Sequence, residues 1–495
     1  TIAFTTNGTK PSEKDASGKA ELEISLDRTM SGYLVSHKEK MLCPEFYNSV
    51  LYQDDDLPAG VVLNTSLVDP KGVVGDKVQT NVYYLDADYA KRFPGCMFLS
   101  VTTDPENLLD YKTGILASGS VYDAWKKTEQ GKKAIADQEW WSAETNSTRH
   151  GKKWERPCRI QFYSKTTKPD LELDAGIRVR GGMSRRQNQK SFTLYFREKY
   201  GPDQLHYALF GKEDVYKTFA LRNGGNDSEY LKFKDAFIQG LGKGGKFTVL
   251  DSRPAILFLN GEYWGPYSVN EIISGQTLKN RFAVDEKNVV VIKESEVQVG
   301  KEEDIQFYKE LISFDSKDFT DPEVYRQFSN IMDMQSMADY FAMRIYIGDG
   351  DWSRIHNHIL WRTKDKSYNG GKWQFVVHDT DYSAGHYEEK ITSPETDHFR
   401  MARENFPVFG AALRNKEFYD MFMQAIKKVG SENYKFSRVR AEMDAYDKIW
   451  GPLMPDFYRR FGDTSRLRKR CMNSTLNFFL RRYNLIIPIV EKWKP

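Results

Sequence analysis

Three short stretches combine residue types and spacings that suit phosphate or metal chemistry. The first is Gly176-Ile177-Arg178-Val179-Arg180-Gly181-Gly182-Met183-Ser184-Arg185, with Lys190 opening a strand just beyond it. A glycine-bearing turn exposes backbone N–H groups, and arginine and lysine add positive charge, so the set suits phosphate oxygens. It is neither a Walker loop nor a GxGxxG fingerprint, and an ordinary hairpin with solvated basic residues fits the same letters. The second is Gly348-Asp349-Gly350-Asp351-Trp352, followed by His356-Asn357. Aspartates in a Gly-rich turn after a helix serve as exit residues, but also as a catalytic base or a metal ligand. The third is His378-Asp379-Thr380-Asp381, entered from the mostly apolar run Trp373 to Val377. Two carboxylates at the end of a buried strand cost desolvation unless a cation pairs with them. A divalent metal meets that need, and so do loop caps and salt bridges. No HExxH zinc spacing and no GxSxG nucleophile elbow is present, while a two-carboxylate glycosidase stays open.

The elements that must hold these residues change character along the chain. The sequence has 495 residues, too many for one minimal domain. Aromatic residues make up 14%, which excludes wholesale disorder. Net charge is +3 from 72 basic and 69 acidic residues, which excludes a nucleic-acid binder acting through bulk charge. No apolar run reaches the ~18–20 residues of a membrane span. Cys43, Cys96, Cys158 and Cys471 are far apart with no CxxC pair, and are expected as free buried thiols. The first residue is Thr1, which fits removal of a leader or upstream domain.

Residues 1–92 carry short alternating runs such as Glu21 to Leu26 and Val82 to Leu85, and predict a small β-sandwich. Residues 120–155 are polar and weakly periodic, and predict an insertion or long loop. Between 158 and 300 strands dominate: Ser191 to Phe196 alternates, and Ala255 to Leu259 runs through Asn260-Gly261 into a hairpin. A helix is expected from Glu229 to Leu241. Beyond residue 300, helical stripes appear at Met334, Met337, Phe341 and Ile345, and again from Phe418 to Val429. The class is therefore α+β, strand-rich first and helical second.

Taken in order, these segments resemble the CotH kinase family over residues 95 to 490. The matching pieces are Arg180-Gly181-Gly182-Met183-Ser184, Lys190-Ser191-Phe192, Asn260-Gly261-Glu262-Tyr263-Trp264-Gly265-Pro266-Tyr267 with Glu271, Asp351 with Asn357, and Asp379-Thr380-Asp381. Thr5-Thr6-Asn7-Gly8-Thr9-Lys10-Pro11 resembles the turn of chitobiase C-terminal-like β-sandwich modules. The first resemblance implies an atypical protein-kinase-like fold of two lobes, β-rich over 93–272 and helical over 273–495. It implies ATP with Mg²⁺ or Mn²⁺ as cofactors. Lys190 would hold the α/β-phosphates, with Asp235 as its candidate partner, and the Arg180 loop with Ser184 would sit beside them. Glu271 would mark the adenine-side connection. Asp351 would be the base, and Asp379, Asp381 and Asn357 the metal ligands. The segment Arg222-Asn223 to Asn226-Asp227-Ser228 also resembles a family run. Two departures stand out: His356 occupies the usual asparagine position, one residue before Asn357, and His378 replaces a tryptophan. The implied function is phosphorylation of Ser/Thr on a bacterial surface or coat protein. That activity would belong to a secreted or cell-surface protein, the spore coat included. The alternative is a non-catalytic extracellular adhesion or structural module, with glycan contact through the N-terminal segment. Neither reading involves nucleic acid.

Overall fold

The computed structural model describes all residues except 86–88, 164–167, 212–213 and 494–495. In chain order its strands are β1 Ile2–Thr5, β2 Gly60–Leu67, β3 Gln79–Tyr84, β4 Met97–Thr102, β5 Arg156–Tyr163, β6 Leu171–Arg180, β7 Ser191–Tyr195, β8 Leu205–Tyr207, β9 Asp214–Tyr216, β10 Thr218–Arg222, β11 Thr248–Val249, β12 Ser252–Leu259, β13 Glu262–Asn270, β14 Val289–Lys293, β15 Glu296–Val299, β16 Ile359–Thr363 and β17 Gln374–Val377. The mixed α+β class expected from the sequence is found. Its strand-rich part is a closed seven-stranded barrel in the order β10-β13-β12-β4-β5-β6-β7. β7 and β10 pair antiparallel to complete the ring.

The central strand β12 shows why the barrel sits where it does. Its run Ala255-Ile256-Leu257-Phe258-Leu259 is buried at every position. Successive side chains leave a strand on opposite faces, so a strand with no polar face must be covered on both sides. Ala255, Leu257 and Leu259 join Leu99, Val101 and Leu194 in one apolar cluster of the barrel. Ile256 and Phe258 join a second cluster with Met337 and Trp373 of the other half. The β12–β13 hairpin forms as predicted, with Asn260 at φ 48° and Gly261 at φ 76°. Positive φ at both positions is the geometry that an Asn-Gly turn supplies.

The second half holds a five-stranded sheet, β11-β17-β16-β14-β15. Two of its strands, β16 and β17, form where the sequence pattern returns briefly to strand, at Ile359 to Trp361 and Trp373 to Val377. The expected helices form at Met334–Ile347 and Lys416–Lys428, and the one expected from Glu229 to Leu241 forms over Lys234–Gly242, starting five residues later. Asp333 caps the Met334–Ile347 helix by accepting from Ser336 N–H, and Gly348 ends it at φ 65°. The closing helix, Ser465–Lys492, buries Arg482 completely. That guanidinium donates to the carbonyls of Ile345, Tyr346, Pro394 and Thr396, and so ties the helices together.

Two expectations are corrected. Residues 1–92 form one three-stranded antiparallel sheet, β1-β2-β3, not a two-sheet sandwich, and Glu21 to Leu26 is no strand. The apolar residues that could have built a separate core are spent on the barrel: Leu34, Val35 and Leu51 pack into its cluster. The Leu34 and Val35 N–H groups donate to the buried Glu262 carboxylate. Residues 120–155, expected as a loop, contain helices at Gly119–Trp125 and Glu129–Ala136. Tyr122, Trp125, Ala134 and Ala143 close over Phe46 there. The four cysteines are free; Cys158 and Cys471 are buried, Cys43 and Cys96 half-buried. Among the described residues, no helix is long and apolar enough to cross a membrane.

Candidate functional site

A cleft of about 550 Å³ opens between the barrel rim and the end of the five-stranded sheet. The barrel contributes Arg178 and Arg180 from β6, Ser184 and Arg185 from the short turn Met183–Arg186, and Arg222 from the end of β10. The facing side contributes Lys293 at the end of β14 and Glu294 just after it, Asp351 and Asn357 from the loop after Gly348, and Asp379 and Asp381 after β17. Six of the predicted site residues, Arg180, Ser184, Asp351, Asn357, Asp379 and Asp381, thus meet in one cavity.

Arg222 is the centre of this site. Its Nη2 donates to both Asp379 Oδ1 and Asp381 Oδ2, and its Nη1 lies 3.6 Å from Asp235 Oδ2. Asp235 sits on the helix Lys234–Gly242 and also accepts from Thr380 N–H at 2.7 Å. One guanidinium therefore joins the barrel, the helix and the loop of Asp379 and Asp381. Burial opposes its charge, yet Asp379, Asp235 and Asp381 hold its pKa well above the ordinary arginine range. Burial likewise works against the Asp379 carboxylate, but Arg222 and then His378 hold its pKa below the usual value. Asp381 behaves oppositely. Burial, then the adjacent Asp379 charge, push it well up, and Arg222 only partly offsets them. Asn226 steadies Asp381 through its backbone N–H at 3.2 Å and its Nδ2 at 3.0 Å.

A second buried arginine positions the other loop. Arg344 is fully buried near the end of its helix and pairs with the equally buried Asp349. It also donates to the carbonyls of Asn357, at 3.2 Å, and His378. Asp349 Oδ1 accepts from Asp351 N–H at 3.1 Å. Both Asp-bearing loops are thus hung on one guanidinium. Asn357 Nδ2 donates to the Asp351 carbonyl at 2.8 Å, and His356 Nε2 lies 3.1 Å from Asp351 Oδ1. The one-residue displacement of the asparagine therefore does not remove it from Asp351. Asn357 itself sits at φ 54° and Asp379 at φ 54°, left-handed conformations that asparagine and aspartate tolerate best after glycine.

Two predicted residues are not brought to the cleft. Lys190 lines a separate small cavity on the other side of the Met183–Arg186 turn, and its Nζ donates to the Gln187 carbonyl at 2.7 Å. Strand alternation explains this: Ser191 and Thr193 face the cleft, so Lys190 leaves the chain on the opposite face. Asp235 is accordingly the partner of Arg222, not of Lys190. Glu271 is held by Arg281, and its carboxylate accepts from Asp251 N–H at 3.2 Å, in a cluster outside the cleft lining. Sequence reasoning named the Arg222 segment without giving Arg222 a role, and passed over Arg344. The available signal for Arg344 was a lone arginine in the run Phe341-Ala342-Met343-Arg344-Ile345-Tyr346-Ile347. A charge in a helix with no polar face needs a dedicated partner.

Gly225 tests how tightly this constellation is set. It adopts φ +65°, and a Cβ there would overlap the Asp381 carboxylate and lie 2.8 Å from Arg222 Nη2. Gly225→Ala is expected to lower unfolding free energy by about 1–3 kcal/mol, as overpacking does. Urea denaturation with an unchanged slope checks it; an unchanged midpoint would show that the loop yields freely.

A protein-family model described as CotH kinase protein matches residues 177–475. That span contains every cleft residue named above, and the N-terminal sheet lies outside it. A comparison with curated proteins gives no match.

Proposed function

The chain belongs to the CotH kinase protein family, and from that premise we propose that it transfers a phosphoryl group from ATP, with Mg²⁺ or Mn²⁺, to Ser or Thr of a bacterial surface or coat protein. The observation that carries this reading is the Arg222 bridge. In protein kinases a strand cation must pair with a helix carboxylate while a loop carboxylate holds the metal. Arg222, Asp235 and Asp379 supply that set here, with arginine as the strand cation.

The donor set fits a divalent cation. Asp235, Asp379 and Asp381 all converge on one guanidinium, and the mutual repulsion of these carboxylates is what a divalent cation there would relieve. Asp379, whose side chain is 31% exposed into the cleft, and Asp381 would hold the ion, and the Asn357 amide oxygen is the third donor. Once bound, the ion neutralises phosphate charge and polarises the transferred group. Arg178, Arg180 and the N–H groups around Gly181 and Gly182 would bind phosphate oxygens, with Ser184 beside them. Asp351 would accept the hydroxyl proton of the acceptor. Its N–H bond to Asp349 and its contacts with Asn357 and His356 keep that carboxylate at the cleft.

ATP with Mn²⁺ is expected to raise the melting temperature, because a ligand that binds only the native state stabilises it. Asp379→Asn is expected to abolish both that rise and transfer of labelled γ-phosphate to protein. Equal labelling in the variant would remove Asp379 from the mechanism. No thermal shift in either form would favour the non-catalytic module instead.

A further inference from the structure

The place that Lys190 occupies has chemistry of its own. The side chain is buried and lines a cavity of about 30 Å³ together with Cys43, Arg186, Asn188 and Trp264. A single water needs roughly 10–15 Å³, so this cavity admits a small guest. The Lys190 ammonium has three N–H donors, and Gln187 O takes one of them. Trp264 is 2% exposed, and its Nε1–H is buried without an acceptor. Asn48, Ser49, Trp140, Thr145, Arg186 and Asn188 supply the other polar side chains at the cavity. Asn188 Nδ2 donates to Asn48 O at 2.6 Å, Ser49 Oγ accepts from Cys43 N–H at 2.8 Å, and Arg186 Nε donates to Ala143 O at 2.7 Å. No Asp or Glu lines the cavity. Burial pushes the Cys43 thiol up to about 12, so it is not a thiolate counter-ion at neutral pH. Burial also draws Lys190 down to about 8, which leaves the amine mainly charged at pH 7.

A buried ammonium beside an orphaned N–H donor, with no carboxylate in the cavity lining, is an environment that asks for an acceptor-only guest. We propose that this cavity binds a small monatomic anion of halide size, accepting from Lys190 Nζ and Trp264 Nε1. Water fits less well, since it must also donate, and neither Lys190 Nζ nor Trp264 Nε1 can accept. The site backs directly onto the cleft. Gln187, which receives Lys190, also donates from Nε2 to the Gly225 carbonyl at 2.8 Å and accepts from Asn223 Nδ2 at 2.6 Å.

Crystals of the full chain grown in sodium bromide should show an anomalous peak in this cavity. Potassium chloride should raise the melting temperature by about 1–3 °C over potassium gluconate at equal ionic strength. Lys190→Met, which keeps the side-chain length, and independently Trp264→Phe should each remove the peak and the halide-dependent rise. Absence of the peak in the wild type overturns the proposal, as does an identical melting temperature in the two salts. A peak that persists in Lys190→Met would mark an adventitious ion only. None of these readouts depends on nucleotide, so the anion site and the kinase reading stand or fall separately.

Discussion

Replacing Arg222 with Met should cost about 3–5 kcal/mol of stability at neutral pH, the usual penalty for stripping a buried pair of its cation. Three carboxylates converge on that guanidinium, two of them almost fully buried, with side-chain exposures of 9% for Asp235 and 2% for Asp381. The variant leaves all three without their shared partner. The sign with pH follows from the shifts. In the wild type Asp379 is depressed, so its contribution is present above its unfolded value and is lost as pH falls through the folded one. Asp381 is raised, so its contribution is present below the unfolded value and fades as pH rises through the folded one. Without Arg222, Asp235 and Asp379 lose the charge that depresses them and join Asp381 in the raised class. The deficit of the variant should therefore be smallest near pH 4 and grow toward pH 7. Urea midpoints at both values measure it. A deficit of equal size at both would mean that lost packing, not unpaired charge, dominates. Saturating Mn²⁺ should recover part of the loss at pH 7, since it supplies the missing positive charge to Asp379 and Asp381.

The parts of this site that sequence reasoning reached share one property: their chemistry is local. Asp351, Asp379 and Asp381 each follow a well-marked apolar element, and a carboxylate at such an exit is conspicuous whatever the rest of the chain does. Arg180 and Ser184 belong to a turn whose glycines announce it. The misplaced residues failed on register and on long-range pairing. Lys190 and Ser191 are neighbours in sequence but face opposite sides of β7, and only the closure of the barrel decides which side is the cleft. Arg222 finds partners more than 150 residues away, at Asp379 and Asp381. Nothing in its own strand marks them. The N-terminal segment shows the same limit. Leu34, Val35 and Leu51 look like the makings of a separate core until the barrel surface that claims them is known.

Asp351→Asn separates chemistry from binding more cleanly than any other change at this site. The amide keeps the shape of the carboxylate but is a far weaker proton acceptor. The backbone N–H bond to Asp349 and the Asn357 contact to the Asp351 carbonyl do not depend on the carboxylate. The side chain is 39% exposed, so folding stability should change by no more than about 1 kcal/mol. Loss of a general base typically removes 10²–10⁴-fold in rate, and a fall of about that size is expected in kcat for phosphoryl transfer. The KM for ATP and the thermal shift with ATP and Mn²⁺ should stay close to wild type, because phosphate and metal are assigned to Arg178, Arg180, Asp379 and Asp381. Asp379→Asn should instead lose the thermal shift together with the rate. Steady-state kinetics and melting curves on the two variants decide between the roles. If Asp351→Asn transferred phosphate at the wild-type rate, the base would have to be sought elsewhere in the cleft, with Glu294 the next carboxylate facing it. If it lost nucleotide binding as well, Asp351 would belong with the metal ligands.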